Sequence, residues 1–275
     1  MNLENYFISK LKNRYIGDDG AYIKDIQANV FSKDAFFEDV HFKRDWMSYN
    51  QVAKKAMLIN ISDAIAMNAK PKYALLSVAM PSNITKSQMD ELVDGFNEVA
   101  SFYGVDIIGG DTISNIKLDI TITIISESKK PLVRNGIRKN YYIAYTGKLG
   151  NSQKELKKLF NLGKIHKKSK FVDIKLREKF IEKSSRFLAS GMDISDGLFS
   201  DLSKLSSANN LGFKFLNKIS KSIGCSGEEY EMLVAFDKRY KKTILRRAKQ
   251  SRTPINIFAI SSRVGYKNRC KAHHF

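Results

Sequence analysis

Met192-Asp193-Ile194-Ser195-Asp196-Gly197-Leu198 places two carboxylates and a hydroxyl side by side. If residues 192–195 are extended, side chains alternate and Asp193 and Ser195 share one face. Asp196-Gly197 then turns into a helix whose apolar stripe is Leu198, Leu202 and Leu205, at i, i+4 and i+7. On this reading Asp196 is either the helix N-cap or a ligand for a cation, and the stretch alone leaves both open. Acids at a strand end beside a helix start can hold a metal-bound phosphate.

Outward from that stretch, 141–146 reads as a strand, 147–150 as a loop, and lysine-rich helical patterns fill 151–190. Ser226-Gly227-Glu228-Glu229-Tyr230-Glu231 is an acidic turn feeding an apolar strand that ends at Phe236. A basic helix at 238–250 and a strand at 255–260 follow. Toward the N-terminus, Leu118, Ile120, Ile122 and Ile124 alternate with Asp119, Thr121 and Thr123, a half-buried strand. Residues 105–108 form a strand running into Gly109-Gly110-Asp111-Thr112. That Gly-Gly-Asp turn lets backbone approach a ligand and an acid hold a cation. Thr85-Lys86-Ser87-Gln88 fits a capping box, with Gly104 as the helix stop. Residues 73–80 form an apolar strand, and 51–69 a helix with Asn60 and Asp63 on a shared face. Residues 30–35 form a strand carrying Asp34, followed by His41, which suits either phosphate contact or packing. Gly17-Asp18-Asp19-Gly20 is a metal-ligating loop or an Asp-Gly hairpin turn. Residues 3–11 read as a short amphipathic helix. The polar, basic crossing at 131–138 suggests two domains, 1–138 and 139–275.

A hydrophobic content of 43% with 27% charged residues is that of a soluble globular chain. No apolar run approaches the roughly 18 residues a membrane span needs, and no basic start precedes an apolar core. The two cysteines, Cys225 and Cys270, form no CxxC pair and are expected to form no disulfide framework. A reduced, cytoplasmic setting follows. The net charge of +19 lies largely in lysines at 154–175 and 238–252, with few interleaved aromatics. Such faces attract small anions or are simply solvated, so neither nucleic acid nor membrane is expected as a partner.

The chain has no GxxxxGK followed by Ser or Thr, no GxGxxG, no HExxH, no zinc-ligand spacing and no nucleophile elbow. What recurs is Asp beside Gly, Ser or Asn: Asp18, Asp19, Asp34, Asp63, Asp111, Asp193 and Asp196. Hard oxygen donors of this kind suit Mg²⁺ that bridges carboxylates to phosphates.

The ordered series is Gly17-Asp18-Asp19, Ser32-Lys33-Asp34, His41-Phe42, then Asn60-Ile61-Ser62-Asp63-Ala64-Ile65-Ala66-Met67. Gly109-Gly110-Asp111-Thr112, Arg134-Asn135-Gly136, the central stretch and Gly227-Glu228-Glu229-Tyr230-Glu231 complete it. In this order and spacing the chain resembles the thiamine-monophosphate kinases of the aminoimidazole-ribonucleotide synthetase-like superfamily, almost end to end. The resemblance implies a two-domain α/β fold in which an N-terminal α/β domain dimerises with its copy and a C-terminal α/β domain packs beside it. It implies ATP-dependent phosphorylation of thiamine monophosphate to thiamine diphosphate by a homodimer. It assigns several Mg²⁺ ions to Asp19, Ser32, Lys33, Asp34, Asp63, Asp111, Asp193 and Asp196. ATP falls to Gly110, Asp111, Arg134 and Ser195, and the thiamine phosphate to His41, Glu228 and Phe275. Lys33 stands where the family usually has Thr, Glu229 where it has Asp, and the second domain is shorter than usual. Two other readings stay open. One is a superfamily relative acting on an aminoimidazole ribonucleotide precursor or selenide, and the other a basic nucleic-acid-binding protein.

Overall fold

The structure is a computed structural model that describes residues 21–22 and 29–271. The helix expected at 3–11, the Asp18-Asp19 loop and Phe275 lie outside the described residues. In chain order the first elements are β1 (Ala21–Tyr22), β2 (Val30–Phe37), α1 (Tyr49–Ala66), β3 (Lys70–Pro81), α2 (Lys86–Tyr103), β4 (Asp106–Asn115) and β5 (Asp119–Glu127). Then come β6 (Tyr142–Thr146), α3 (Asn151–Phe160), α4 (Glu178–Ser184), β7 (Ser190–Asp193) and α5 (Leu198–Asn209). The last are β8 (Gly212–Phe215), α6 (Lys221–Gly224), β9 (Met232–Phe236), α7 (Lys241–Gln250) and β10 (Ile255–Ser262). No described helix is long and apolar enough to cross a membrane.

These elements fall into two units. The N-terminal unit comprises Tyr22–Pro131 and Glu155–Leu176; the C-terminal unit comprises Leu132–Lys154 and residues from Arg177 onward. The sequence division at 138 gave 155–176 to the second domain, whereas the structure groups that segment with the first. Its anchors are aromatic. Trp46 meets Phe160 and Phe171 edge-on, with ring centroids 5.2 and 6.1 Å away. The fully buried Lys55 sets its Nζ 3.5 Å from the Phe171 ring centre, a desolvated cation on a π face. The Glu155 carboxylate accepts from the Phe171 N–H at 2.8 Å. Residues 161–177 are irregular rather than helical; α3, α4 and a short 3-10 turn at Ser185–Phe187 realise the expected helical stretch.

The N-terminal sheet runs β1-β2-β5-β3-β4. β5 is antiparallel to β2 and β3, while β3 and β4 are parallel. Ile120, Ile122 and Ile124 are fully buried, as their alternation demands. α1 covers this face and is itself buried along most of its length, from Val52 to Ala66. α2 opens on the expected capping box: Thr85 accepts from the Gln88 N–H, and the Gln88 side chain reaches back to the Thr85 N–H. It closes on Gly104, which is left-handed at φ 64°. On the edge strand β4 and its neighbour β3, Tyr73, Leu75, Ile108 and Ile113 are exposed. The expected Gly-Gly-Asp turn is not a turn: β4 runs straight through Gly109, Gly110 and Asp111.

The C-terminal sheet, β7-β9-β6-β10-β8, is antiparallel at every pairing. Its core packs Ile143, Met192, Leu198, Leu202, Leu205, Leu233 and Phe258, so the stripe on α5 faces inward as its spacing requires. Cys225 and Cys270 are joined in a disulfide with Cα atoms 5.5 Å apart. This corrects the expectation that they stay unpaired. Spacing along the chain carries no record of a pairing across 45 residues that the tertiary fold brings into contact.

Candidate active site

β7 carries Asp193 at its last position, only 3% exposed. Beyond it the chain is zippered to the acidic turn. The Ile194 N–H donates to the Glu231 carbonyl at 2.8 Å, and Tyr230 N–H to the Ile194 carbonyl at 2.9 Å. Glu228 N–H donates to the Ser195 carbonyl at 2.7 Å. Asp193, Ser195, Asp196 and Glu228 are thereby drawn into one neighbourhood of the C-terminal unit.

Gly197, at φ 99°, is the N-cap of α5 and supplies no side-chain cap. Asp196 is therefore not the cap. Its carboxylate instead meets the Lys204 ammonium at 2.7 Å, and the same ammonium reaches Asp201 at 2.8 Å. Asp201 is fully buried. Burial alone would lower the Lys204 pKa, but Asp201 and then Asp196 outweigh it and hold it above its ordinary range.

The three acids of the turn do three different things. Glu229, 1% exposed, accepts from the Gly150 and Ser152 N–H groups at 2.7 and 3.3 Å and from the Ser226 hydroxyl at 2.5 Å. It places an anion at the N-terminus of α3, where unsatisfied N–H groups and the helix dipole favour one. Glu231 takes a two-pronged bond from Arg177, both prongs 2.7 Å, and a third from the Thr146 hydroxyl at 2.7 Å. That carboxylate in turn raises the Arg177 pKa. Glu228 is half-buried, and its carbonyl accepts from the Ser152 hydroxyl. Glu228 and Tyr230 have φ of 53° and 48°, a region that costs an ordinary side chain energy and persists only when neighbours fix it. Here the hydrogen bonds to Ile194, Ser195 and Ser152 do so.

Arg134 enters through its backbone. Its carbonyl accepts from the Ser190 hydroxyl and the Asn209 amide, each at 2.9 Å. The Asn209 oxygen accepts from Gly136 and Ile137 N–H at 2.9 and 2.8 Å. The Arg-Asn-Gly run is thus pinned between the start of β7 and the end of α5.

In the N-terminal unit, Asn60 ties β2 to α1. Its side-chain oxygen accepts from the Asp34 N–H at 2.8 Å while its amide donates to the Ala56 carbonyl at 2.9 Å. The Ser32 hydroxyl reaches the Asn60 carbonyl at 3.4 Å. Ser32 and Asp34 are so fixed one helical turn from Asp63. Lys33 lies exposed between buried Ser32 and half-buried Asp34, as strand alternation dictates. Its ammonium is a donor and offers a cation no ligand. The His41 Nδ1 accepts from the Phe37 N–H at 3.0 Å. A neutral ring so engaged carries its proton on Nε2, which is then a donor. Asp111 is exposed on β4 and accepts from the Thr112 N–H at 2.8 Å. With Phe37, Ser77, Asp119 and Thr121 it lines a cavity of about 180 Å³. Gly110 owes its identity to packing, since a Cβ there would fall 1.6 Å from the Leu76 carbonyl oxygen.

Among the described residues no three His, Cys, Asp or Glu side chains converge closely enough to hold a metal ion. Asp19 and Phe275 lie outside the described residues. Lys204, Asn209 and the internal roles of Glu229 and Glu231 escaped the sequence reading. Of these only Lys204 leaves a local mark, the i, i+3 pair with Asp201 on one helix face.

The AIR synthase related protein N-terminal domain family matches residues 17–127. The thiamine-monophosphate kinase of Nitrosopumilus maritimus (strain SCM1) is 32% identical over 230 residues, 76% of this chain and 74% of that protein. That of Bacillus subtilis (strain 168) is 34% identical over 223 residues, 74% and 67% of the two chains. The solved structure of AaThiL complexed with AMPPCP and TMP matches with a TM-score of 0.87, over 99% of this chain and 96% of that one. At 21% identity that likeness speaks for the two-domain α/β fold. Identity above 30% with relatives whose length is covered by two thirds or more goes further: the chain belongs to the thiamine-monophosphate kinase family.

Proposed function

We propose that the protein transfers the γ-phosphoryl group of ATP to the phosphate of thiamine monophosphate, giving thiamine diphosphate. Family membership supplies the reaction. The observation within this chain that carries it is the zipper between Ile194-Ser195 and Glu228-Tyr230-Glu231. It presents the phosphate-side and acceptor-side motifs of the C-terminal unit together.

The donor set fits Mg²⁺: Ser32, Asp34, Asp63, Asp111, Asp193 and Asp196 offer only hydroxyl and carboxylate oxygens, the hard ligands that ion takes. Asp19 belongs to the same set. Lys33 can contribute only through its carbonyl. Held by these residues, Mg²⁺ would supply the positive charge that lets two polyanions approach for in-line transfer. This chain's residues do the rest. Arg134, Ser195, Gly110 and Asp111 hold ATP. His41, its Nδ1 already engaged, presents Nε2–H to the acceptor phosphate, and Glu228 and Phe275 take the thiamine. The second pKa of a phosphate monoester is about 6, so the acceptor oxygen is anionic at neutral pH and needs no general base. The exposed apolar residues of β3 and β4 are the surface through which the N-terminal unit forms a homodimer. An ATP-consuming kinase fits a cytoplasmic setting.

The test is incubation with ATP, MgCl₂ and, in separate reactions, thiamine monophosphate, an aminoimidazole ribonucleotide precursor and selenide. Thiamine diphosphate is the expected product, and exhaustive chelation should abolish it. Turnover of another acceptor alone, or salt-sensitive DNA retention without ATP turnover, overturns the reading.

A further inference from the structure

Arg134, which the proposed reaction gives to ATP, stands on a run of backbone that the end of α5 grips through one side chain. Asn209 is the last residue of α5 and is half-buried. Its amide nitrogen donates to the Arg134 carbonyl at 2.9 Å and to the Leu205 carbonyl at 2.8 Å. Its amide oxygen accepts from the Gly136 and Ile137 N–H groups at 2.9 and 2.8 Å. A primary amide has two donor hydrogens and two acceptor lone pairs, and here all four are used.

That saturation makes the residue type specific. An aspartate of the same shape would lose both donors and turn a charge toward two carbonyl oxygens, and an alanine would lose all four bonds. The bond to Leu205, one turn back on the same helix, steadies the side chain, so the other three act from a rigid support. The Arg134 carbonyl also accepts from the Ser190 hydroxyl at 2.9 Å. Both of its lone pairs are thereby engaged, and the peptide plane after Arg134 is held in one orientation. A Cβ at Gly136 would fall 2.7 Å from the Ala189 carbonyl oxygen, and Ile137 is buried in the core of the C-terminal unit. Arg134 therefore leaves a backbone fixed from β7, from α5 and from the core. An arginine that grips a phosphate must freeze several rotamers, and a support already ordered leaves less to freeze on binding.

We propose that Asn209 is a positioning residue for the nucleotide, setting the affinity for ATP by aiming Arg134. The inference rests on the kinase reading, which assigns ATP to Arg134, and deepens it by making the C-terminal end of α5 part of the nucleotide site's support.

The test is titration of the full chain with ATP and MgCl₂ in a calorimeter, together with steady-state kinetics in which each substrate is varied. Asn209→Ala should weaken ATP binding and raise the KM for ATP about ten-fold, with the KM for thiamine monophosphate within about two-fold of wild type. Asn210→Ala is the stability control. It strains the same helix end, where φ is 51°, without altering an atom of the Asn209 amide, and should lower Tm while leaving both KM values in place. Ser190→Ala removes the other donor to the Arg134 carbonyl and decides the matter should Asn209→Ala fail to fold; it should raise the KM for ATP about three-fold. Unchanged ATP binding in Asn209→Ala, or in Ser190→Ala where that variant alone folds, overturns the proposal. An equal rise in both KM values, or a rise matched by Asn210→Ala, overturns it too. Arg134→Ala separates this inference from the reading beneath it. Unchanged ATP binding by Arg134→Ala, or no thiamine diphosphate from wild type, sinks the reading and this inference with it. Weakened binding by Arg134→Ala beside normal binding by Asn209→Ala sinks this inference alone.

Discussion

Glu231 is 2% exposed, and its charge is compensated by an arginine 54 positions away. Removing that arginine takes a two-pronged ion pair away from a buried carboxylate. Arg177→Leu should therefore cost about 3–5 kcal/mol, the usual penalty for breaking a buried ion pair. Urea midpoints measure it, and Arg177→Met combined with Glu231→Gln should recover most of the loss. At the substrate side, His41→Ala and Glu228→Gln should each raise the KM for thiamine monophosphate about ten-fold, the loss of one charge-assisted contact, with the KM for ATP little changed. Steady-state kinetics with each substrate varied in turn decides. Equal shifts for both substrates would mean that His41 only locks its turn through Phe37. In the sequence, Glu228, Glu229 and Glu231 look alike. What separates them is a helix start, an arginine and a hydroxyl, each supplied from more than 50 residues away, and no local pattern records such partners.

Helix α2 shows what local chemistry does record. Its first and last turns were legible because a capping box and a left-handed glycine act within a few residues. Thr85→Ala should lower stability by about 1 kcal/mol, seen as a lower Tm with unchanged far-ultraviolet circular dichroism. The alternating isoleucines of β5 were legible for the same reason. β4 was not: two glycines before an acid read as a turn, yet Gly110 exists because β3 passes too close for a side chain. Gly110→Ala should accordingly destabilise by about 1–3 kcal/mol or more through overpacking against the Leu76 carbonyl, whereas a glycine needed only for nucleotide approach would leave Tm unchanged. β8 and α6, four residues each, are too short for periodicity to register. Asp196 could be read either as a cap, since short polar residues favour that position, or as a ligand; Gly197 takes the cap position at φ 99°, and the Asp196 carboxylate pairs with Lys204.

Taken as a whole, the described chain leaves much apolar surface on one face of its N-terminal sheet. Ile108 and Ile113 on the edge strand β4 are 55% and 57% exposed, a pattern that marks either an interface or an aggregation hazard. Light scattering should give about twice the 31.3 kDa of the chain, and Ile113→Lys should shift the protein to monomer with loss of turnover. A monomer at micromolar concentration with full activity would refute the dimer.

The aromatic anchoring of 155–176 has a consequence for how the protein is made. As the chain leaves the ribosome, the N-terminal sheet and both its helices emerge before Phe160 and Phe171. Until then Trp46 lacks both aromatic partners, and Lys55 lacks the ring that its ammonium faces at 3.5 Å. A truncated product ending at 138 would lack these contacts of Trp46 and Lys55 with Phe160 and Phe171. The N-terminal half must therefore wait for a stretch encoded beyond its own apparent end before it can finish folding.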